Sequence, residues 1–432
     1  MIKKKEQSEK SISKKTLIVN YFGLQIGGIE TYLAKLIQHS TQNGYRVIWL
    51  TNKLSFERCY FKDIISHPLV EIVYIKGNSI SWYPHKKISF ASSEHVTMIS
   101  MDIISFMKAE KIRRYAKVEE FNHILALPHF TGIAYYPERA FRTKLGKKYW
   151  TAFVKNYVKE LVEKDCIRAY SLKHLDYYEK NYGVKIDSKE EKVLKKINYI
   201  KDYDDSYFIE KANSRVNNFT IVTCGRFDFP HKGYILGLLD DFVELKEKYN
   251  NLKLVIIGYG PDEHEVLEKI AKMSKATQES IELVGAVSPF DLSRHFEKGH
   301  LNIGLAGALF DGAICALPSL CTRHYSRTCE TYGYIHEMEG TYLREDPANP
   351  IKPYIERLIK MSNDDYIELT KKCFERAKSV KTNDPEYIFN QKNKNNKSTL
   401  RGIKLFKAKV FNALVRLIVR IFKLRILEDE EK

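Results

Sequence analysis

The sequence predicts an α/β protein of two domains, each built on a doubly wound parallel sheet. Short runs of β-branched and aromatic residues recur along the chain, and helix-like stretches separate them. That alternation is the pattern of parallel strands covered by helices on both faces. Most of these runs end in turns rich in glycine, where an open sheet of this kind binds its ligands. At 432 residues the chain also exceeds what a single hydrophobic core usually serves.

The elements follow in order. Residues 1–15 are polar and lysine-rich with no apolar stretch, so a disordered lead-in is expected there and not a signal peptide. Thr16 to Phe22 reads as a first strand. Gly27-Gly28-Ile29-Glu30 then opens a helix through about His39. Glycines at a strand-to-helix turn let a phosphate approach the backbone N–H groups of the helix start. Arg46 to Leu50, Val70 to Ile75 and His123 to Leu127 read as further strands, the last running into Pro128-His129-Phe130. Cys166 to Ser171 is followed by a helix through Tyr182.

The second domain opens on the most informative segment of the chain. The strand Phe219-Thr220-Ile221-Val222-Thr223 leads into Cys224-Gly225-Arg226-Phe227-Asp228-Phe229-Pro230-His231-Lys232-Gly233, and helical sequence follows from Tyr234 to Tyr249. Arginine offers a planar fork of donors and lysine a mobile point charge, a pair suited to a diphosphate. The alternative is a solvated basic loop. Leu252 to Ile257 is the next strand, ending in Gly258-Tyr259-Gly260-Pro261, with a helix from Asp262 to Ser274. Ile281 to Val284 ends at Gly285. A short helix from Pro289 to Glu297 leads to the strand Leu301 to Leu305. Ala306-Gly307-Ala308 then enters a helix that begins near Leu309 and stops before Pro318.

In this order the motifs resemble the C-terminal domain of family 4 glycosyltransferases, which have the GT-B fold. That family shows a Gly-Arg loop with a following Lys-Gly, a strand ending in Gly-x-Gly, a strand ending in Gly, and a helix that closes on Gly-x-Pro. Here the last element reads Leu309-Phe310-Asp311-Gly312-Ala313-Ile314-Cys315-Ala316-Leu317-Pro318. The resemblance spans roughly Thr16 to Pro385. It implies two Rossmann-like domains facing each other across a cleft: an N-terminal acceptor domain over 16–200 and a nucleotide-sugar domain over 201–389. It further implies a retaining transfer from a nucleotide-diphosphate sugar, without cofactor or metal, in bacterial polysaccharide or capsule synthesis.

The resemblance also assigns roles. Arg226 and Lys232 match the family's diphosphate-binding pair, which neutralises charge on the leaving group. Gly225, Gly258 and Gly285 match its strand-end glycines, and Gly27 and Gly28 its N-terminal glycine loop. The N–H groups of Gly307, Ala308 and Leu309 would hold the phosphates. Asp311 matches the glutamate that accepts ribose hydroxyls, one methylene shorter; the alternative is a first-turn acid favoured by the helix dipole. The family's first glutamate falls on Ile303, inside a predicted strand, so the acid that sits near the donor sugar is missing. His129 matches a histidine near the sugar in some members, although a histidine after a strand is more often structural. Asp202-Tyr203-Asp204-Asp205 mimics a metal-binding acidic triplet and is expected to be a solvated loop.

Composition adds the rest. The cysteines number 7, scattered and without a CxxC pair, which argues for a reducing compartment and against a disulfide framework or zinc site. The formal charge of +17 calls for an anionic partner, yet no nucleic-acid-binding motif is present. From Leu400 to Leu427 the chain carries Arg401, Lys404, Lys407, Lys409, Arg416, Arg420, Lys423 and Arg425 and no acid. On a helix, Lys409, Asn412, Arg416, Arg420 and Lys423 share one face, and Phe406, Val410, Leu414, Leu417, Ile418 and Ile421 the other. Such a helix, 400–427, is expected to lie on an anionic membrane surface behind a linker over 390–399; the alternative is a helix docked on the protein itself. The expected acceptor is a glycan or a lipid-linked one, and the expected location is the cytoplasm, peripheral on the inner face of the plasma membrane. Two other functions stand beside this one: a non-catalytic GT-B partner subunit and a nucleotide-sugar epimerase.

Overall fold

The computed structural model describes residues 15–21, 27–51, 62–76, 83–84, 86–128, 133, 144–197, 201–338, 346–382, 385–394 and 414. The chain divides into two compact units. The first comprises Met1–Gln25, Leu33–Leu194 and Pro385–Lys432; the second comprises Ile26–Tyr32 and Lys195–Asp384.

The sheet of the first unit has the strand order β4-β3-β2-β1-β5-β6-β7. Its strands are β1 (Lys15–Asn20), β2 (Arg46–Thr51), β3 (Val70–Lys76), β4 (Tyr83–Pro84), β5 (His95–Ser100), β6 (Glu120–Leu127) and β7 (Ile167–Ala169). All pairings are parallel except that of β4 with β3. Leu17, Ile18 and Val19 are wholly buried because helices cover both faces, which is why β1 is a continuous apolar run and not an alternating one. Helix Gly28–Gln42 follows β1 and helix Ile103–Tyr115 follows β5. The latter starts where Asp102 accepts a hydrogen bond from the Ser105 N–H at 2.8 Å.

The second unit repeats the plan with the order β11-β10-β9-β12-β13-β14-β15. Here β9 (Phe219–Cys224), β10 (Leu252–Ile257), β11 (Ile281–Gly285), β12 (Leu301–Gly304) and β13 (Ser319–Thr322) are parallel. At the edge, β14 (Glu330–Tyr334) and β15 (Asn349–Pro350) are antiparallel. Helix Tyr234–Lys248 buries Tyr234, Ile235, Leu238, Leu239 and Phe242 in one core with Ile221, Leu254 and Ile256. The chain enters and leaves this unit side by side, because β8 (Lys196–Ile197) pairs with β16 (Lys381–Thr382).

That pairing moves the expected boundaries. The second unit begins at Lys195, and the described residues 385–394 belong to the first unit. Residues 390–394, expected to be linker, are docked. Gln391 Oε1 accepts from Arg168 Nε at 2.7 Å, and Asn393 brackets the backbone of His123, accepting from its N–H at 2.7 Å and donating to its carbonyl at 3.3 Å. Phe389 packs edge-on against Tyr45. A polar, asparagine-rich stretch reads as linker in sequence, but asparagine carries both a donor and an acceptor and can stand in for a missing sheet neighbour. The tail helix expected over 400–427 lies outside the described residues apart from Leu414. Among the described residues no helix is long and apolar enough to cross a membrane.

Candidate functional site

In the second unit β9 has β10 on one side and β12 on the other, so the chain order reverses between β9 and β12. Open α/β sheets bind ligands at such a switch point, outside the carboxyl ends of the strands. Two loops leave the sheet there: 225–233 after β9, and Leu305-Ala306 between β12 and helix Gly307–Ala313.

The 225–233 loop is held by its neighbour. Gly225 N–H donates to the Ile257 carbonyl at 3.0 Å, Phe227 N–H to Tyr259 at 2.9 Å, and Phe229 N–H to Asp262 Oδ2 at 2.6 Å. Phe227 turns inward and is buried, which leaves Arg226 outside and exposed. Gly258 has a packing role: a Cβ there would lie 2.1 Å from the Gly225 carbonyl oxygen, so only glycine lets the two loops touch. Gly285 has φ +78, left-handed backbone at the end of β11, and its carbonyl accepts from Gly258 N–H at 3.0 Å. These two glycines shape the loops rather than present a surface.

Arg226 and Lys232 are both on this loop, and neither makes an ion pair or side-chain hydrogen bond with any described residue. Burial of the Lys232 ammonium without a counter-ion lowers its pKa from 10.5 to about 8. Lys232 is half-buried, and a charge partly removed from water with no partner among the described residues is unfavourable in the free protein, which an arriving anion relieves. Beside it, the Cys224 thiol is pushed up to about 12 by burial and then by the charge of Asp311. Cys224 is therefore an inert thiol, and Asp311 is brought to the end of β9.

Asp311 is on helix Gly307–Ala313, beyond its first turn, which carries no acid. The alternative of a helix-terminus acid therefore fails. The preceding residue, Ala306, has φ +53 and ψ −117 and supplies no capping side chain, so the helix starts from strained backbone, and among the described residues no side chain bonds to the N–H groups of Gly307, Ala308 and Leu309. Ile303 is wholly buried in β12, and only Leu305 and Ala306 separate that strand from the helix. No acid occupies the first glutamate's place.

Asn302 was not singled out from the sequence, yet it fixes this helix. Wholly buried, its amide donates to the carbonyls of Ala308 at 3.2 Å and Leu309 at 3.1 Å and to Ser319 Oγ at 3.1 Å. The signal was present: a lone amide within the apolar run Leu301-Asn302-Ile303 must find partners when buried. Thr322 Oγ1 adds a bond to the Gly304 carbonyl at 3.3 Å.

The remaining expectations fall elsewhere. Gly27 and Gly28 stand at the start of helix Gly28–Gln42, Gly28 with open space at its Cα and Gly27 against the Glu30 carboxylate. His129 lies outside the described residues. Asp202 and Asp204 are exposed in a loop, as expected, and Asp204 also caps helix Asp205–Asn217, accepting from Tyr207 N–H at 3.0 Å. Among the described residues no group of three His, Cys, Asp or Glu could hold a metal ion.

No protein-family model matches the chain, and no curated protein matches it. Solved structures do. They include HepE from Anabaena in complex with UDP-glucose, with TM-score 0.50 and 12% identity over 85% of this chain and 95% of that one. A glycosyltransferase from Rickettsia africae matches with TM-score 0.52 and 12% identity over 87% and 96%. S. aureus TarM in complex with fondaparinux, alpha-GlcNAc-glycerol and UDP matches with TM-score 0.53 and 10% identity over 88% and 100%. The likeness is one of fold, and that fold is GT-B.

Proposed function

We propose that this chain is a glycosyltransferase that takes a sugar from a nucleotide-diphosphate donor. The observation that carries the reading is the pair of uncompensated cations, Arg226 and Lys232, on a braced loop at the switch point of the second unit. A diphosphate leaving group gains charge as the glycosidic bond breaks, and preorganised cations stabilise that charge most. Asp311 supplies an acceptor for ribose hydroxyls, and the uncapped N–H groups of Gly307, Ala308 and Leu309 supply donors for phosphate oxygens. The UDP-glucose and UDP held by HepE and TarM support a uridine nucleotide as the first donor to try.

Within this reading the family 4 motif order supports transfer with retention. The acceptor is a glycan or a lipid-linked glycan in cell-surface polysaccharide synthesis. The basic amphipathic pattern of 400–427 supports a peripheral site on the inner face of the plasma membrane. Ile303 in place of the first glutamate favours one other reading, a GT-B subunit that binds nucleotide sugar without turning it over. A thermal-shift screen of nucleoside diphosphates followed by donor hydrolysis separates these. The transferase reading expects a raised melting temperature and slow release of free sugar. A raised melting temperature with no hydrolysis and no transfer favours the binding subunit, and no shift with any nucleotide contradicts both.

A further inference from the structure

A polar cavity lies in the second unit, at the end of the sheet opposite the 225–233 loop. Because β14 runs antiparallel to β13, its last residue Tyr334 pairs with Leu320 near the start of β13, away from the strand ends that carry the 225–233 loop. The cavity, about 680 Å³, is lined by Tyr334 and His336, by Arg357 and Lys360 from the last turn of helix Lys352–Lys360, and by the first half of helix Asn363–Val380.

Its charges are committed unevenly. Each carboxylate on the wall has a partner. Glu337 accepts from the Tyr334 N–H at 2.7 Å, Asp365 from Ser362 Oγ at 2.6 Å, and Glu368 pairs with Lys372 at 2.6 Å. Arg357 and Lys360 have no ion pair or side-chain hydrogen bond with any described residue. Tyr334 is only 4% exposed, and its hydroxyl has no hydrogen-bond partner among the described residues. A buried phenol with an unmade bond is costly, and native structures seldom keep one without a use. The ring itself is fixed, near-parallel to His336 and edge-on to Tyr354, so the hydroxyl is held in place.

We propose that this cavity binds a phosphorylated small molecule of the sugar-phosphate class, with Arg357 and Lys360 holding the phosphate and the Tyr334 hydroxyl bonded to a ligand oxygen. The volume suits a monosaccharide phosphate and exceeds what inorganic phosphate would fill. The inference does not rest on the glycosyl-transfer reading, since it uses none of the residues of the 225–233 loop.

Calorimetric titration of glucose 6-phosphate into the full chain tests it, with the donor loop disabled by Arg226→Ala and Lys232→Ala. Inorganic phosphate and glucose are the comparison probes. The expected result is saturable binding tighter for glucose 6-phosphate than for either probe, weakened roughly tenfold or more by Arg357→Ala with Lys360→Ala. Tyr334→Phe keeps the fold and removes the orphan hydroxyl. It should leave the melting temperature of the free protein equal or higher while weakening the sugar phosphate several-fold, a combination that a merely structural tyrosine would not give. No saturable binding, equal binding of inorganic phosphate, or an affinity indifferent to the Arg357 and Lys360 substitutions would overturn the proposal.

Discussion

At the end of β1 in the first unit, the wholly buried Asn20 donates to Ser100 Oγ at 3.0 Å and to the Ser105 carbonyl at 2.8 Å. Ser100 Oγ meets His123 Nε2 at 2.9 Å, and His123 Nδ1 meets Glu110 Oε1 at 2.6 Å, while the imidazole stacks on Phe106. Since Ser100 accepts from Asn20, its own proton goes to His123, whose Nδ1–H then faces the carboxylate. At the end of β9 in the second unit, which has the same switch-point topology, Arg226 and Lys232 meet nothing comparable. One edge spends its polar groups on each other and the other leaves two cations unspent. The serine, histidine and glutamate of the first unit have the order of a hydrolytic relay, but all three are buried, and this places them with the scaffold. The lesson is that chemistry follows uncommitted polar groups more closely than it follows suggestive residue types.

The largest expected effect breaks the second edge. Replacing Arg226 and Lys232 together by alanine should cost roughly 2–4 kcal/mol of transition-state stabilisation in donor turnover, measured as kcat/KM, with an unchanged melting temperature. The first edge should behave in the opposite way. His123→Ala leaves Ser100 and Glu110 without their buried partner and should lower stability by about 1–3 kcal/mol, read from chemical denaturation, while nucleoside-diphosphate affinity stays as it was. Asp311→Asn comes next, weakening ribonucleotide binding by about 1–2 kcal/mol through one lost charge-assisted bond, with no change for a diphosphate lacking ribose.

The two edges should also answer pH differently. Burial holds the His123 pKa below its ordinary 6.5. The unfolded chain therefore takes up the proton first, so this contribution to stability is present above about 6.5 and lost as pH falls below it. Lys232 acts on binding instead. Its free pKa of about 8 means the free amine is largely neutral above that value, and a bound diphosphate requires the ammonium. Affinity should fall as pH rises above about 8, by at most tenfold per unit, and Lys232→Arg should flatten the profile. The smallest effect concerns the tail. Truncation before Leu400 should release the protein from anionic vesicles, each lysine or arginine near the surface contributing on the order of 1 kcal/mol at low salt.

The strands of both sheets were legible wherever an apolar run is continuous, as in Phe219 to Thr223 and Leu252 to Ile257, because burial on both faces writes itself into composition. Strand β5 was missed, since His95-Val96-Thr97-Met98-Ile99-Ser100 mixes polar residues into a central strand. Those residues make sense only with partners that are distant in sequence: Ser100 needs Asn20 and His123. The antiparallel edge β14 and the two helices after it were not read either, though they frame the polar cavity. At the site, Arg226 and Lys232 were legible in the sequence as a basic pair after a strand, and Asp311 only through the family resemblance. Asn302 and the strained Ala306 were not, because backbone angle and long-range bonding are properties of the fold. The glycines divide the same way: Gly258 and Gly285 are legible as strand-end glycines, whereas the loop contact of the one and the backbone angle of the other are properties of the fold.

In the proposed transferase Lys232 is a half-buried cation whose partner is the donor diphosphate. The direct measurement is the titration of its side-chain amine by NMR, in protein with selectively labelled lysine, assigned by Lys232→Arg, with and without UDP. The account predicts a midpoint near 8 in the free protein and a clear upward shift once UDP is bound. A midpoint near the ordinary 10.5 in the free protein, or one that saturating UDP leaves unmoved, would contradict it.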